Sequence, residues 1–173
     1  ARGISAPTAV LPIFVDVGRF ARIERTKHPR FEESLLSVGR LAPEKRFSLA
    51  IHALHVVRTA GHDAGLTLVG AGSEEKYLRA LVQKLGLERF VEFAGWHNDI
   101  TPYLSRADIL LVPSRFEGYG MVIVEALAAG VPVLSTDVGV AREAGAIVTT
   151  PEKFADTLRE WFAHGPRTAQ LKN

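Results

Sequence analysis

Two carboxylates stand out by their surroundings. Glu117 lies in the glycine-bearing stretch Arg115-Phe116-Glu117-Gly118-Tyr119-Gly120, and Glu125 follows eight residues later, between the apolar runs Met121–Val124 and Ala126–Ala129. A carboxylate among apolar residues is costly unless something hydrogen-bonds it. Ionised carboxylates only accept hydrogen bonds, so a pair of them suits the hydroxyls of a sugar or a ribose. The plain alternative is a Glu125 that reaches water at a helix edge. Two cations, Arg40 and Lys45, fall in the short stretch Gly39–Lys45, and two glycine loops, Gly70–Ser73 and Gly118–Gly120, each run into a helical pattern. The N–H groups and dipole at a helix start attract anions, and glycine lets them come close. Cations joined to such loops make a diphosphate site.

Taken singly, these features are ordinary. A glycine loop after a strand is more often a tight turn than a ligand cradle, and lone Arg and Lys side chains are usually solvated. Gly70-x-Gly72 lacks the third glycine of the dinucleotide fingerprint, and no Gly-Lys-Ser/Thr sequence occurs. Their joint meaning depends on the elements that carry them. Short apolar runs recur at Leu35–Gly39, Leu66–Gly70, Phe90–Gly95, Ile109–Ser114, Val131–Thr136 and Ala146–Thr149, most of them continuous rather than alternating, the pattern of strands covered on both faces. Amphipathic stretches at Phe47–Ala60, Glu74–Leu85, Ile100–Ser105, Met121–Ala129 and Pro151–His164 separate them. Thr150 is the predicted N-cap of the last, with Pro151 at its first position. Such alternation implies right-handed crossovers and a doubly wound α/β domain with a parallel sheet. Ligands of open parallel sheets bind beyond the carboxyl ends of the strands, and every candidate loop falls there.

With the loops read in order, a family resemblance emerges. Pro113–Val133 (PSRFEGYGMVIVEALAAGVPV) resembles the E-x7-E signature of the GT-B glycosyltransferases, in particular the large retaining group that includes mannosyl- and glucosyltransferases. Val38-Gly39-Arg40-Leu41 with Glu44-Lys45 is similar to that group's phosphate-binding loop, and Val69–Gly72 with Glu74, Val91-x-Phe93-x-Gly95 and Thr136–Gly139 with Glu143 follow in the group's order. The resemblance spans roughly residues 12–150. It implies a Rossmann-like domain, one half of a GT-B architecture, that binds a nucleoside-diphosphate sugar with a UDP, GDP or ADP moiety. Arg40 and Lys45 would contact the diphosphate and offset charge on the leaving group, and Glu117 would bind hydroxyls of the transferred sugar. Gly120, Met121 and Val122 would offer N–H groups to the distal phosphate, with Gly118 in the same loop, and Glu125 would hold the ribose. Trp96, His97 and Asp99 occupy the place of the base-contacting loop, while Gly39 and Gly72 would let the chain pass close to the nucleotide. No metal and no cofactor beyond the donor substrate are implied.

The chain also departs from the group. Arg46 stands where glycine most often follows the Glu-Lys pair, implying a phosphate loop that closes differently, and Ala144-Gly145-Ala146 runs straight on where a glycine-bearing loop is usual. The resemblance implies a separate N-terminal acceptor domain that these residues do not include, so the chain is expected to be inactive alone, with any membrane contact made through that domain. A non-catalytic nucleotide-sugar-binding domain is the alternative expectation.

Composition narrows the field from the other side. The 173 residues, 47% hydrophobic and 23% charged with a net charge of +2, suit one globular domain and exclude a disordered chain. No run of about 18 apolar residues offers a membrane helix, and Ala1–Pro7 lacks a secretory pattern. The absence of cysteine excludes disulfides and thiolate zinc sites. Lys and Arg are interspersed with Asp and Glu, so no nucleic-acid partner is expected. The expected location is the cytoplasm. Residues 1–34 read as a lead-in segment, with a candidate strand at Thr8–Val15 and a charged connection at Arg19–Glu33. Residues 35–164 form the ligand-binding domain and 165–173 a tail. His52 and His55 read as ordinary helix histidines, and Trp161 and Phe162 as packing residues.

Overall fold

Which side of the sheet a helix covers follows from alternation along the strands. A computed structural model describes residues 15–164. Within them lie strands β1 (Glu33–Val38), β2 (Ala64–Val69), β3 (Val91–Gly95), β4 (Ile109–Val112), β5 (Val133–Thr136) and β6 (Ile147–Thr149). Helices α1 (Val17–Ala21), α2 (Phe47–Thr59), α3 (Glu75–Lys84), α4 (Thr101–Leu104), α5 (Met121–Ala128) and α6 (Phe154–Ala163) accompany them, and Pro43–Lys45 forms a single 3-10 turn. All strand pairs are parallel, in the order β3-β2-β1-β4-β5-β6. Leu35, Leu66, Leu68, Ile109, Leu111 and Leu134 point to one face and pack with α2, α3 and α6. Their neighbours Leu36, Val69, Leu110, Val112 and Val133 point to the other and pack with Phe20 of α1, Leu104 of α4 and Ile123 of α5. Both faces are therefore apolar, which explains strands without polar alternation.

This is the expected doubly wound sheet, and its order reverses between β1 and β4. In open parallel sheets ligands bind at such a switch point, beyond the carboxyl ends of the strands.

Two local expectations are corrected. Part of the supposed charged connection is helix α1: the Asp16 side chain accepts a hydrogen bond from the Arg19 backbone N–H at 3.1 Å, and Phe20 buries itself against the α5 side of the sheet. The last helix starts at Phe154 rather than Pro151, after a turn in which the Lys153 N–H donates to the Thr150 carbonyl. Thr150 is therefore not its N-cap. Phe154 and Leu158 are its buried anchors, whereas Glu152 and Lys153 are exposed, so nothing apolar draws the first turn onto the core. The candidate strand at Thr8–Val15 lies almost wholly outside the described residues. Trp161 and Phe162 are half-buried against the α2–α6 core.

Candidate functional site

The loops at the carboxyl edge of the sheet are joined main chain to main chain. The Gly39 N–H donates to the Val69 carbonyl, Leu41 to Ala71, and Gly70 to Gly95, which ties the loops after β1, β2 and β3. Arg115 donates to the Glu44 carbonyl at 2.7 Å and Val140 to Tyr119 at 2.9 Å, bringing in the loops after β4 and β5. Gly72 belongs to this joinery. A Cβ there would sit 2.3 Å from the Leu41 carbonyl oxygen, so the closeness of two protein loops already accounts for its lack of a side chain.

Within this frame the structure joins residues far apart in sequence. Lys45 Nζ lies 2.7 Å from both carboxylate oxygens of Glu117, and the Ser114 hydroxyl donates to Glu117 Oε1 at 2.6 Å. The pair is largely shielded, with 19% of the Lys45 side chain and 11% of the Glu117 side chain exposed. Arg40 pairs with Glu44 at 2.7 Å but is mostly in solvent. Arg46, directly after Lys45, has φ of 48° and ψ of 40°, the left-handed conformation that glycine adopts easily. Here an arginine carries that strain.

Helix α5 begins beside this pair. Gly120 is its N-cap in the left-handed region, and Met121 and Val122 are its first residues, whose N–H groups have no carbonyl one turn back. One turn on, Glu125 is half-buried, and burial pushes its carboxyl above the usual range while the nearby Arg19 guanidinium pulls it back. Its carboxylate takes no side-chain hydrogen bond from the described residues. Gly118 is exposed on the loop.

On the β1–β3 side a cleft of about 330 Å³ is lined by Gly39, Arg40, Gly70, Ala71, Trp96 and His97. Trp96 is 67% exposed, so its ring offers a flat apolar surface rather than core packing. His97 Nε2 sits 3.0 Å from the Ala94 carbonyl and 2.8 Å from the Tyr103 hydroxyl, which fixes the ring. Asp99 stands apart from these. Its Oδ1 accepts from the Thr101 N–H at 3.0 Å, the Thr101 hydroxyl at 2.8 Å and Arg19 at 2.8 Å. Those hydrogen bonds, led by Thr101, hold its carboxyl below the usual range. Asp99 therefore shapes the loop that presents Trp96 and His97.

The predicted residues thus fall into two groups, Arg40, Gly39, Trp96 and His97 around the cleft, and Lys45, Glu117 and the start of α5 at the switch point. Sequence reasoning missed Ser114, Tyr103 and Arg19. Ser114 sits three residues before Glu117, a spacing that could have flagged it; Tyr103 and Arg19 carried no local signal. Among the described residues, no group of three or more His, Asp or Glu side chains could hold a metal ion, and no helix is long and apolar enough to cross a membrane.

Comparison with known proteins agrees with this geometry. The family model described as "Glycosyl transferases group 1" matches residues 19–173. The lipopolysaccharide core biosynthesis glycosyltransferase LpsE of Rhizobium meliloti is 36% identical over 129 residues, covering 73% of this chain and 37% of LpsE. HepE of Anabaena, solved in complex with UDP-glucose, matches with a TM-score of 0.70 at 28% identity, over 80% of this chain and 41% of HepE. The pneumococcal O-GlcNAc transferase GtfA, solved with UDP and GlcNAc, matches with a TM-score of 0.74 over 86% of this chain and 32% of its own, and at 20% identity it speaks to the fold alone. The chain spans well under half the length of each. Its Rossmann-like sheet is that of one half of a GT-B protein, and by the extent of the family match the chain belongs to the group 1 glycosyl transferases.

Proposed function

We propose that this chain binds a nucleoside-diphosphate sugar and forms the donor half of an enzyme that transfers a hexosyl group, with retention, to an acceptor hydroxyl. The observation that carries the proposal is the shielded Lys45–Glu117 pair beside the α5 N-terminus at the switch point. A diphosphate arriving there draws Lys45 to itself, frees the Glu117 carboxylate for sugar hydroxyls, and meets the Met121 and Val122 N–H groups. Arg40, on the exposed side, adds a second cation, and together the two offset charge that builds on the departing diphosphate. Glu125 holds the ribose diol, and the cleft beside Trp96 and His97 takes the base. UDP is the first candidate, supported by the UDP-glucose complex of HepE. In this proposal the transfer needs no metal, the acceptor binds to a second domain, the reaction is cytoplasmic, and the chain alone does not transfer.

Calorimetric titration with UDP, GDP and ADP tests it. Saturable binding of one diphosphate is expected, about tenfold or more weaker in Arg40→Ala and in Glu117→Ala, in line with the loss of a charge-assisted contact. Unchanged affinity in both variants overturns the assignment of the site. Glycosylation of an acceptor by the purified chain overturns the claim that it is inactive alone.

A further inference from the structure

Helix α1 reaches two parts of the site at once. It packs on α5, with Phe20 buried in the shared core, and this fixes the direction in which Arg19 leaves the helix. The Arg19 guanidinium pairs with Asp99 at 2.8 Å across 80 residues of sequence. Asp99 in turn grips Thr101 at the start of α4, so the pair anchors the loop that carries Trp96 and His97. The same guanidinium acts electrostatically on Glu125. Of the elements packed on α5, α1 carries Arg19 and β4 and β5 carry no charge, while the loop after β5, with Ala141 buried in the same core, carries Asp137, Arg142 and Glu143, of which Arg142 is paired with Asp137 at 2.8 Å. The charge that acts on Glu125 is that of Arg19.

We propose that Arg19 is a positioning residue for the nucleoside end of the donor, fastening the base-side loop through Asp99 and setting its charge beside the Glu125 carboxylate, so that α1 is part of the nucleotide-binding apparatus. The inference rests on the donor-site reading above. It has two separable parts. The first is mechanical, through Asp99, and does not depend on pH near neutrality. The second is electrostatic: without Arg19, burial alone acts on Glu125, its carboxyl protonates at higher pH, and a protonated acid is a poorer acceptor for a diol.

The test is UDP titration of the 173-residue chain at pH 5.5 and pH 8, for the unsubstituted protein, Arg19→Gln and Arg19→Lys. Arg19→Gln is expected to weaken UDP binding about threefold at pH 8, the scale of an exposed ion pair, and further at pH 5.5. Arg19→Lys should recover the pH dependence, because it keeps the charge. In a Glu125→Gln background the pH-dependent part of the Arg19→Gln effect should vanish. Equal affinity and an equal pH profile in Arg19→Gln overturn the inference while leaving the donor site standing. If no diphosphate binds the unsubstituted chain, the donor-site reading falls. Carboxylate NMR titration of Glu125 in the unliganded chain then decides the electrostatic part, and an unmoved titration curve in Arg19→Gln overturns it.

Discussion

The Lys45–Glu117 pair offers a quantitative test of how the site is built. At 2.7 Å, two unit charges attract by about 6 kcal/mol at an effective dielectric of about 20. Loss of hydration on both partners offsets much of that. Removing one partner is a different matter, because the other stays shielded and loses its counter-charge. A fully buried pair broken this way costs about 3–5 kcal/mol. With 19% and 11% of the side chains exposed, Lys45→Met should cost about 2–3 kcal/mol. Glu117→Gln should cost less, about 1 kcal/mol, because the amide keeps an oxygen for the Ser114 hydroxyl and the Lys45 ammonium can swing to solvent. The double variant should be less destabilised than the sum of the singles by about 1–2 kcal/mol, the signature of direct contact. Urea unfolding reads all four states. With a slope of about 2 kcal/mol per molar, Lys45→Met lowers the midpoint by about 1 M. Single costs that add to within about 0.3 kcal/mol would show the two residues to be energetically independent and refute the reasoning.

Three further outcomes follow from the same loops. Arg46→Gly should be neutral to stabilising by about 0.5 kcal/mol, since relief of the left-handed backbone exceeds the added freedom of the unfolded chain, and Arg46→Val should destabilise by at least about 1 kcal/mol; urea midpoints decide. At Gly139, φ is 51°, and an added Cβ would lie 2.3 Å from the Tyr119 carbonyl oxygen and 3.3 Å from Glu117 Cβ. Gly139→Ala should therefore lose about 2 kcal/mol of stability and, by moving Glu117, weaken diphosphate binding in calorimetry. Glu125 has its carboxyl raised in the fold, so the folded state binds the extra proton and stability falls as pH rises from the unfolded value through the folded one. Glu125→Gln should accordingly raise the melting temperature at pH 7.5, where the unsubstituted side chain is ionised against its burial, and leave it unchanged at pH 4. An equal rise at both pH values would assign the effect to packing instead.

The sheet was legible because strands buried on both faces announce themselves mostly as continuous apolar runs, and all six expected runs overlap an observed strand. The loops that follow them were legible because the topology of a parallel sheet collects them at one edge. Other features depend on contacts that no window of sequence contains. Lys45 and Glu117 are 72 residues apart, and Arg19 and Asp99 are 80, so Lys45, Glu117 and Asp99 stood out in the sequence as site candidates while the pairing of each did not. Helix α1 escaped notice because five residues are too few to display a period, and a single buried side chain, Phe20, decides its placement. The start of α6 was misplaced for the opposite reason. Thr150 and Pro151 form a sound local start signal, yet the next buried anchor is Phe154, and tertiary packing chose the later start. Gly72 was read as letting the chain pass close to a nucleotide, and the structure adds a second demand on it, because a side chain there would meet the Leu41 carbonyl.

The hydrogen bonds that join the rim of the site run between peptide groups: Gly39 to Val69, Leu41 to Ala71, Gly70 to Gly95, Arg115 to Glu44 and Val140 to Tyr119. Every residue other than proline carries the same peptide N–H, and every residue the same carbonyl, so away from the glycines that let the loops approach these bonds are indifferent to the side chains they pass beneath. The outline of the rim is inherited as backbone, and the exposed side chains hung on it, Arg40, Trp96 and Phe116 among them, are free to vary without redrawing it. Diversifying those positions would sample new ligand preferences on an unchanged frame, whereas lengthening any one of the joined loops by a residue would put all its neighbours out of register.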